Sequence, residues 1–237
     1  LQTEAINGLL ARVERGVAAQ QQFAADASHE LRTPLTVIST KLEVARRKPR
    51  DAAHWARVAD DTLAEVQRMN VLVDKLLQLS RAGAAGLHRA PADLYALAAA
   101  VVERVRALGE PRAVRVALVP GAPVRAEVDA DAVSIVLDNL IRNAVDHAPA
   151  GSEVTVRVSA GALLAVEDRG PGVPVALRAR VFEPFARGDA TDRATGAGVG
   201  LGLAICQRIV DGHRGTIAIE DRDGGGARFV VRIPEVG

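Results

Sequence analysis

Apolar residues recur in steps of three and four along residues 1–47, at Ile6, Leu10, Val13, Val17, Ala24, Ala27, Leu31, Ile38 and Leu42. This spacing is close to a heptad and predicts one long amphipathic helix, with a weak point at Gln20. Lys48-Pro49-Arg50-Asp51 interrupts it, and Asp51 has the chemistry of an N-cap. A second helix is predicted over 52–82, with steps at Ala59, Leu63, Val66, Asn70, Val73, Leu77 and Ser80. Two long helices with a short connection form an antiparallel hairpin. One hairpin buries one stripe per helix, so two copies are expected to associate as a dimeric four-helix bundle. Asn70 either fixes register on that seam or sits at its edge.

Ala82-Gly83-Ala84-Ala85-Gly86 reads as a linker, and the pattern changes after it. A helix is predicted from Asp93 to Leu108. Val114–Val119 and Val124–Val128 read as strands, separated by Pro120-Gly121-Ala122-Pro123. Asp129–His147 reads as a helix capped by Asp129 or Asp131. Val154–Ser159 and Leu163–Glu167 alternate as a hairpin around Gly161. Residues 170–200 are glycine-rich and irregular, and Leu201–Gly212 returns to helical spacing. Thr216–Glu220 and Ala227–Ile233 form a last hairpin around Gly224-Gly225-Gly226. The fold class expected is α+β: a two-helix hairpin, then an α/β sandwich with helices on one face of a sheet.

At 237 residues, 49% hydrophobic and 25% charged, the chain has a globular composition. Its net charge of +1 gives no sign of polyanion binding, and 3% aromatics leave few platforms for stacking on single-stranded nucleic acid. Cys206 stands alone, which suggests a reducing compartment and a small buried hydrophobe on a helix. No apolar run is long enough for a membrane span. The chain starts mid-helix without Met, as expected of a fragment of a longer protein.

Candidate chemistry begins at Phe23-Ala-Ala-Asp-Ala-Ser-His29-Glu30-Leu-Arg-Thr33-Pro34-Leu35. Neighbours on a helix point about 100° apart, so His29 and Glu30 fall outside the Ala27–Leu31 seam. An imidazole is a nucleophile near neutral pH, its reference pKa being about 6.5, and a neighbouring carboxylate can take its proton. Pro34 removes the backbone bond to the Glu30 carbonyl and is expected to bend the helix beside His29. By themselves these residues also fit a surface histidine and an ordinary kink.

The whole string from Phe23 to Leu35, with Asp26, Ser28, Arg32 and Thr33, closely resembles the phosphoacceptor box of sensor histidine kinases of two-component systems. The resemblance implies that His29 accepts a phosphoryl group from ATP and passes it to an aspartate of a response-regulator receiver domain. It makes Glu30 the acid/base partner and Thr33 the residue that aligns water for the reverse, phosphatase reaction.

Four later segments carry polar or glycine signals. Asn139 and Asn143 share one helical face and can offer carbonyl oxygens to Mg²⁺. Asp168-Arg-Gly170-Pro-Gly172 ends a strand, where a carboxylate can accept from an exocyclic amine and glycines let backbone approach a planar ring. Phe182-Glu-Pro-Phe185-Ala-Arg187 puts two aromatics in a chain that has few, either as a core plug or at a site, with Arg187 able to reach phosphate. Gly196-Ala-Gly198-Val-Gly200-Leu201-Gly202 opens a helix, where backbone N–H groups suit polyphosphate.

In this order the four resemble the N, G1, F and G2 boxes of the histidine kinase catalytic domain, the ATP-binding sandwich shared with gyrase, Hsp90 and MutL. The resemblance implies that Asn143 ligates Mg²⁺ with Asn139 in support, and that Asp168 reads the adenine amino group. Gly170 and Gly172 then flank the base, and Gly198, Gly200 and Gly202 frame the phosphates. His147, Phe182, Arg187 and Leu201 join the same ATP site, under a lid near 174–198. The organisation implied is a lead-in coiled coil (1–22), a dimerisation and phosphoacceptor domain (23–82), a linker (83–91) and a catalytic domain (92–237). It implies the cytoplasmic part of a bacterial inner-membrane sensor, tied to the membrane only through a preceding sensor region. Asp146 departs from the family pattern, which often has a cation there, and is expected to repel phosphate unless Arg142 or Arg187 compensates. An ATP-driven conformational machine and a non-enzymatic scaffold remain as other readings of the sandwich.

Overall fold

The computed structural model describes residues 2–47, 51–84, 86–186 and 199–234, with side chains from residue 17 onward apart from residues 19, 83 and 84. The chain divides into two compact units, 1–76 and 77–237.

The first unit holds α1 (Gln2–Arg46) and most of α2 (Ala52–Ala84). Asp51 caps α2 as expected, its Oδ1 accepting the His54 N–H at 2.7 Å. Helix α1 runs without a break through Pro34, which is buried. Lys41 Nζ meets Asp61 Oδ2 at 2.9 Å and sets the two helices in register. The covered positions of α2 include Val58, Thr62, Glu65, Met69, Leu72 and Leu76, in alternating steps of four and three. The seam anticipated from the sequence lies one residue further on. Ala59, Leu63, Val66, Asn70 and Val73 are all exposed, Leu63 by 57%. Helix α2 thus carries two adjacent apolar stripes, and the hairpin covers only one. On α1, Pro34 and Ala45 are buried while Leu35, Val37, Leu42 and Val44 remain exposed. Helix α2 also continues to Ala84, into the stretch read as linker.

The second unit contains β1 (Ala90–Asp93), α3 (Leu94–Val105), β2 (Arg115–Leu118), β3 (Arg125–Val128), α4 (Ala130–His147), β4 (Glu153–Ser159) and β5 (Leu163–Glu167). Helix α5 (Gly202–Gly212), β6 (Thr216–Asp221) and β7 (Ala227–Arg232) follow. A five-stranded sheet runs β2-β4-β5-β7-β6, and β1 pairs with β3 in a separate two-stranded sheet. Strand β4 alternates covered and half-covered positions along its length. Val154, Val156, Leu164, Val166, Phe229 and Val231 face the helices, against Leu137, Leu140, Ile141, Ile205 and Ile209. That is the helix-on-sheet layering expected.

Three features were not legible in the pattern. Strand β1, Ala-Pro-Ala-Asp, has no β-branched residue and forms because β3 lies beside it; Asp93 then caps α3 by accepting from the Tyr95 N–H at 2.9 Å. Strands β2 and β3 belong to different sheets, and β2 pairs in parallel with β4. Helix α3 stops at Val105 and tightens into a 3₁₀ stretch (Arg106–Arg112), where a Cβ on Gly109 would lie 1.9 Å from the Val114 carbonyl oxygen.

Cys206 is buried, its Sγ 3.6 Å from the Val136 carbonyl oxygen. His213 is only 3% exposed. Its Nε2 accepts the Asp129 N–H at 3.0 Å and its Nδ1 lies 2.8 Å from the Ile209 carbonyl oxygen, which assigns the ring proton to Nδ1. The imidazole therefore joins the end of α5 to the start of α4. Asp129, not Asp131, is the N-cap, with Oδ1 accepting from Ala132 at 3.0 Å and Oδ2 from the His88 N–H at 3.0 Å. Burial works to raise the Asp129 carboxyl, but those two N–H groups and the His213 and His88 rings outweigh it and hold the carboxyl below its ordinary value.

The folded value thus lies below the unfolded reference of about 3.9, so this stabilisation is full above that reference and is lost as pH falls through the folded value. Asp129→Ala is expected to lower the unfolding free energy at neutral pH by about 1–2 kcal/mol. The gap to the wild type should narrow as the pH drops below about 4, measured by urea titrations across the range.

Candidate functional site

The candidate residues form two constellations, one in each unit. On the hairpin, His29 is exposed on α1 and Glu30 beside it is half-buried. Thr33 Oγ1 donates to the His29 carbonyl oxygen at 3.1 Å, one residue before the proline that leaves the helix ladder short of a donor. Ser28 and Thr36 make the same i−4 bonds, to the Ala24 and Arg32 carbonyls at 2.8 and 2.9 Å. A groove of about 670 Å³ runs along this unit, lined by His29, Arg32, Thr33, Lys41, His54 and Asp61 among others. An exposed imidazole at the head of an open groove can be approached by a reacting group.

In the second unit, α4 presents Asn139, Asn143 and His147 at steps of four on one face. Asn139 is buried: its Nδ2 donates to the Ile135 carbonyl at 2.9 Å, and its Oδ1 lies 2.9 Å from where a Cβ on Gly202 would sit. Asn143 is half-buried, and its amide makes no hydrogen bond among the described residues. The 168–172 turn meets the far end of this face, because a Cβ on Gly170 would lie 2.6 Å from the His147 carbonyl oxygen. Asp168 is 3% exposed, and its Oδ1 accepts from the Gly170 N–H at 2.7 Å and the Ala227 N–H at 3.3 Å. One carboxyl oxygen is thus held by backbone while Oδ2 is left for a donor.

Phe182 is half-buried, and the Phe185 N–H donates to the Gly200 carbonyl oxygen at 2.9 Å. Gly200 takes φ +74, and a Cβ there would meet the Ala186 carbonyl oxygen at 2.7 Å. Leu201 is fully buried, so it anchors the start of α5 in the core and lines no open surface. The structure therefore draws Asn139, Asn143, His147, Asp168, Gly170, Gly172, Phe182, Gly200 and Gly202 into one region of the second unit. Arg187, Gly198 and the second half of the expected lid, residues 187–198, lie outside the described residues.

Asp146 lies seven residues after Asn139 on α4. Its carboxylate pairs with Arg112 Nη2 at 3.2 Å, and Arg112 Nη1 donates to its carbonyl oxygen at 2.8 Å. Arg142, named as a possible compensating cation, is held by Asp138 at 2.5 Å. Arg112 was missed because it comes from the 3₁₀ stretch, far from any motif. The glycines of the β6–β7 turn were read only as a turn, yet Gly226, at φ +103, packs its Cα where a Cβ would meet the Asp168 carbonyl oxygen at 2.0 Å.

These residues fit an adenine nucleotide: a buried carboxyl with one acceptor to spare, glycine contacts that any side chain would fill, and an available amide one turn from a buried one. Gly226→Ala is expected to destabilise the protein by at least about 1 kcal/mol more than Gly224→Ala, in thermal unfolding of both variants. Both positions have positive φ, but nothing lies within 4 Å of a Cβ on Gly224.

The model of the His Kinase A (phospho-acceptor) domain matches residues 19–85, and that of the histidine kinase-, DNA gyrase B-, and HSP90-like ATPase matches residues 128–237. The sensor protein IrlS of Burkholderia pseudomallei is 35% identical over 237 residues, which cover 97% of this chain and 50% of that protein. The chain spans about half the length of the relatives it matches. Among solved structures, the Acinetobacter baumannii histidine kinase AdeS is similar with a TM-score of 0.67 and 25% identity, over 88% of this chain and 98% of that one. Full-length ShkA in complex with AMPPNP is similar with a TM-score of 0.62 and 28% identity, over 90% and 45%. With a phospho-acceptor hairpin followed by an ATPase sandwich of this type, the chain belongs to the sensor histidine kinases of two-component systems.

Proposed function

We propose that this chain is an ATP-dependent protein-histidine autokinase that phosphorylates His29 and passes the phosphoryl group to an aspartate of a response-regulator receiver domain. Its support is one combination within a single chain: an exposed imidazole in a groove on the hairpin, and a buried Asp168 beside the Asn139–Asn143–His147 face in the sandwich. ATP is the substrate. Asp168 Oδ2 accepts from the adenine amino group, Gly170 and Gly172 let backbone lie against the base, and Gly200 and Gly202 open α5 beneath the phosphates. Asn143 would hold Mg²⁺, which would supply charge neutralisation on the phosphates, and Asn139 holds that face of α4 in place.

An imidazole nitrogen of His29 attacks the γ-phosphorus in line. The bond to the bridging oxygen breaks, ADP leaves with those electrons, and Glu30 receives the ring proton. Thr33 lies one turn beyond His29 and aligns a water in the reverse, phosphatase direction on the phosphorylated regulator. Residues 1–22 lead in, 23–82 carry dimerisation and phosphoacceptance, 83–91 connect, and 92–237 bind ATP. Two copies pair through the uncovered stripe of α2, Leu63, Val66 and Val73, with Leu35 and Leu42 of α1. The cytoplasmic side of a membrane-anchored sensor suits relatives that are sensor proteins about twice this length. No helix among the described residues is long and apolar enough to cross a membrane.

Incubation with γ-labelled ATP is expected to give acid-labile, base-stable label that is absent from His29→Ala. Label retained in that variant overturns the assignment. Leu63→Glu combined with Val66→Glu is expected to halve the mass seen by light scattering, since each charge would face the partner copy.

A further inference from the structure

The segment that leaves the nucleotide turn has little apolar burial of its own. It runs from Gly172, at φ +75, through two short 3₁₀ turns, Val175–Leu177 and Arg180–Phe182. Val175 is 75% exposed, and Leu177 is exposed as well. Among the described residues, one guanidinium ties this segment to the sheet by hydrogen bonds. Arg178 Nε donates to the Val173 carbonyl oxygen at 3.0 Å, and Nη1 reaches the Ile219 carbonyl oxygen at 3.5 Å. Its Nη2 pairs with the Asp221 carboxylate. Ile219 and Asp221 lie on β6, the edge strand of the five-stranded sheet.

The same edge supports Asp168. Past Asp221 the chain enters the β6–β7 turn, where Arg222 donates to the Gly225 carbonyl at 3.2 Å and lies 3.6 Å from Glu167. Gly226 then packs on the Asp168 carbonyl, and the Gly226 carbonyl oxygen lies 3.0 Å from a Cβ position on Gly172. The turn that would hold the base is thus fixed below by Gly226 and at its exit by Arg178 through Val173. A planar fork satisfies two carbonyls and a carboxylate together, which an ammonium on a flexible stem does not reproduce.

We infer that Arg178 is a positioning residue for the adenine side of the nucleotide: by clamping the Val173 carbonyl to β6 it holds the Gly170–Gly172 turn in its binding form. This rests on the nucleotide reading proposed above. Arg178 lies on the exit of the base-side turn, remote in sequence from the glycines that frame the phosphates. Its loss therefore weakens every adenine nucleotide by one factor, whatever its phosphate count.

The test uses the whole chain, with calorimetric titration of ADP and AMPPNP into wild type, Arg178→Ala, Arg178→Lys and Asp221→Asn, and initial autophosphorylation rates against ATP concentration. Loss of a charge-assisted contact of this kind corresponds to about a tenfold change in affinity. Arg178→Ala and Arg178→Lys are expected to bind ADP and AMPPNP about tenfold more weakly with the ratio between the two unchanged. KM should rise by the same factor while kcat stays within about twofold, and Asp221→Asn should show a smaller loss of the same form. Binding of the Arg178 variants within about twofold of wild type, a changed ADP-to-AMPPNP ratio, or a fall in kcat at constant KM overturns the inference. If Arg178→Ala does not fold, Arg178→Lys and Asp221→Asn decide by the same criteria. A wild type that binds neither nucleotide sinks the nucleotide reading and this inference with it, whereas unaffected variants of a binding wild type sink this inference alone.

Discussion

A carboxyl taken out of water must find donors or it costs more than most domains can bear. Asp168 is nearly inaccessible, and it finds two backbone N–H groups, one from its own turn at Gly170 and one from the start of β7 at Ala227. That pairing requires the end of β5, the 168–172 turn and the β6–β7 turn to lie within a few ångströms of one another. Gly226 allows the approach, since its Cα packs directly on the Asp168 carbonyl. Gly170 brings the same turn against the last turn of α4, and the asparagine face and the acidic group become neighbours. Much of what the second unit can do follows from satisfying that one side chain.

Charge around the site is settled locally. Asp146 is matched by Arg112, Asp138 by Arg142, and Glu167 lies within 3.9 Å of Arg157, Arg222 and Arg228. The Arg112–Asp146 and Arg142–Asp138 pairs are partly exposed and add little to stability, whereas Glu167 and Arg222 are largely covered. Asp146, expected to repel phosphate, is paired with a cation from a separate element, Arg112.

The hairpin shows why periodicity alone underdetermines contact. Along α2 the stripes 58-62-65-69-72-76 and 59-63-66-70-73-77 differ by one residue, or about 100° around the helix. Both satisfy a heptad, and the apolar count favours the second. Helix α1 covers the first, with Met69, Leu72 and Leu76 among its positions. The stripe richer in valine and leucine remains exposed.

What the amino-acid sequence determined by itself was local and chemical. The N-cap at Asp51, the helix over Asp129–His147, the glycine-opened α5, the hairpins, and the phosphoacceptor string around His29 each follow from residues within a turn or two of one another. Tertiary structure decided whatever depended on distant partners. Strand β1 exists because β3 is beside it, β2 is parallel to β4 because the chain crosses between them, and His213 is buried because Asp129 and Ile209 use both its nitrogens. Arg112, Arg178 and Gly226 gained their places in the same way. A side chain's partner 34 to 84 positions along the chain leaves no trace in spacing or composition, because only folding sets the distance between them.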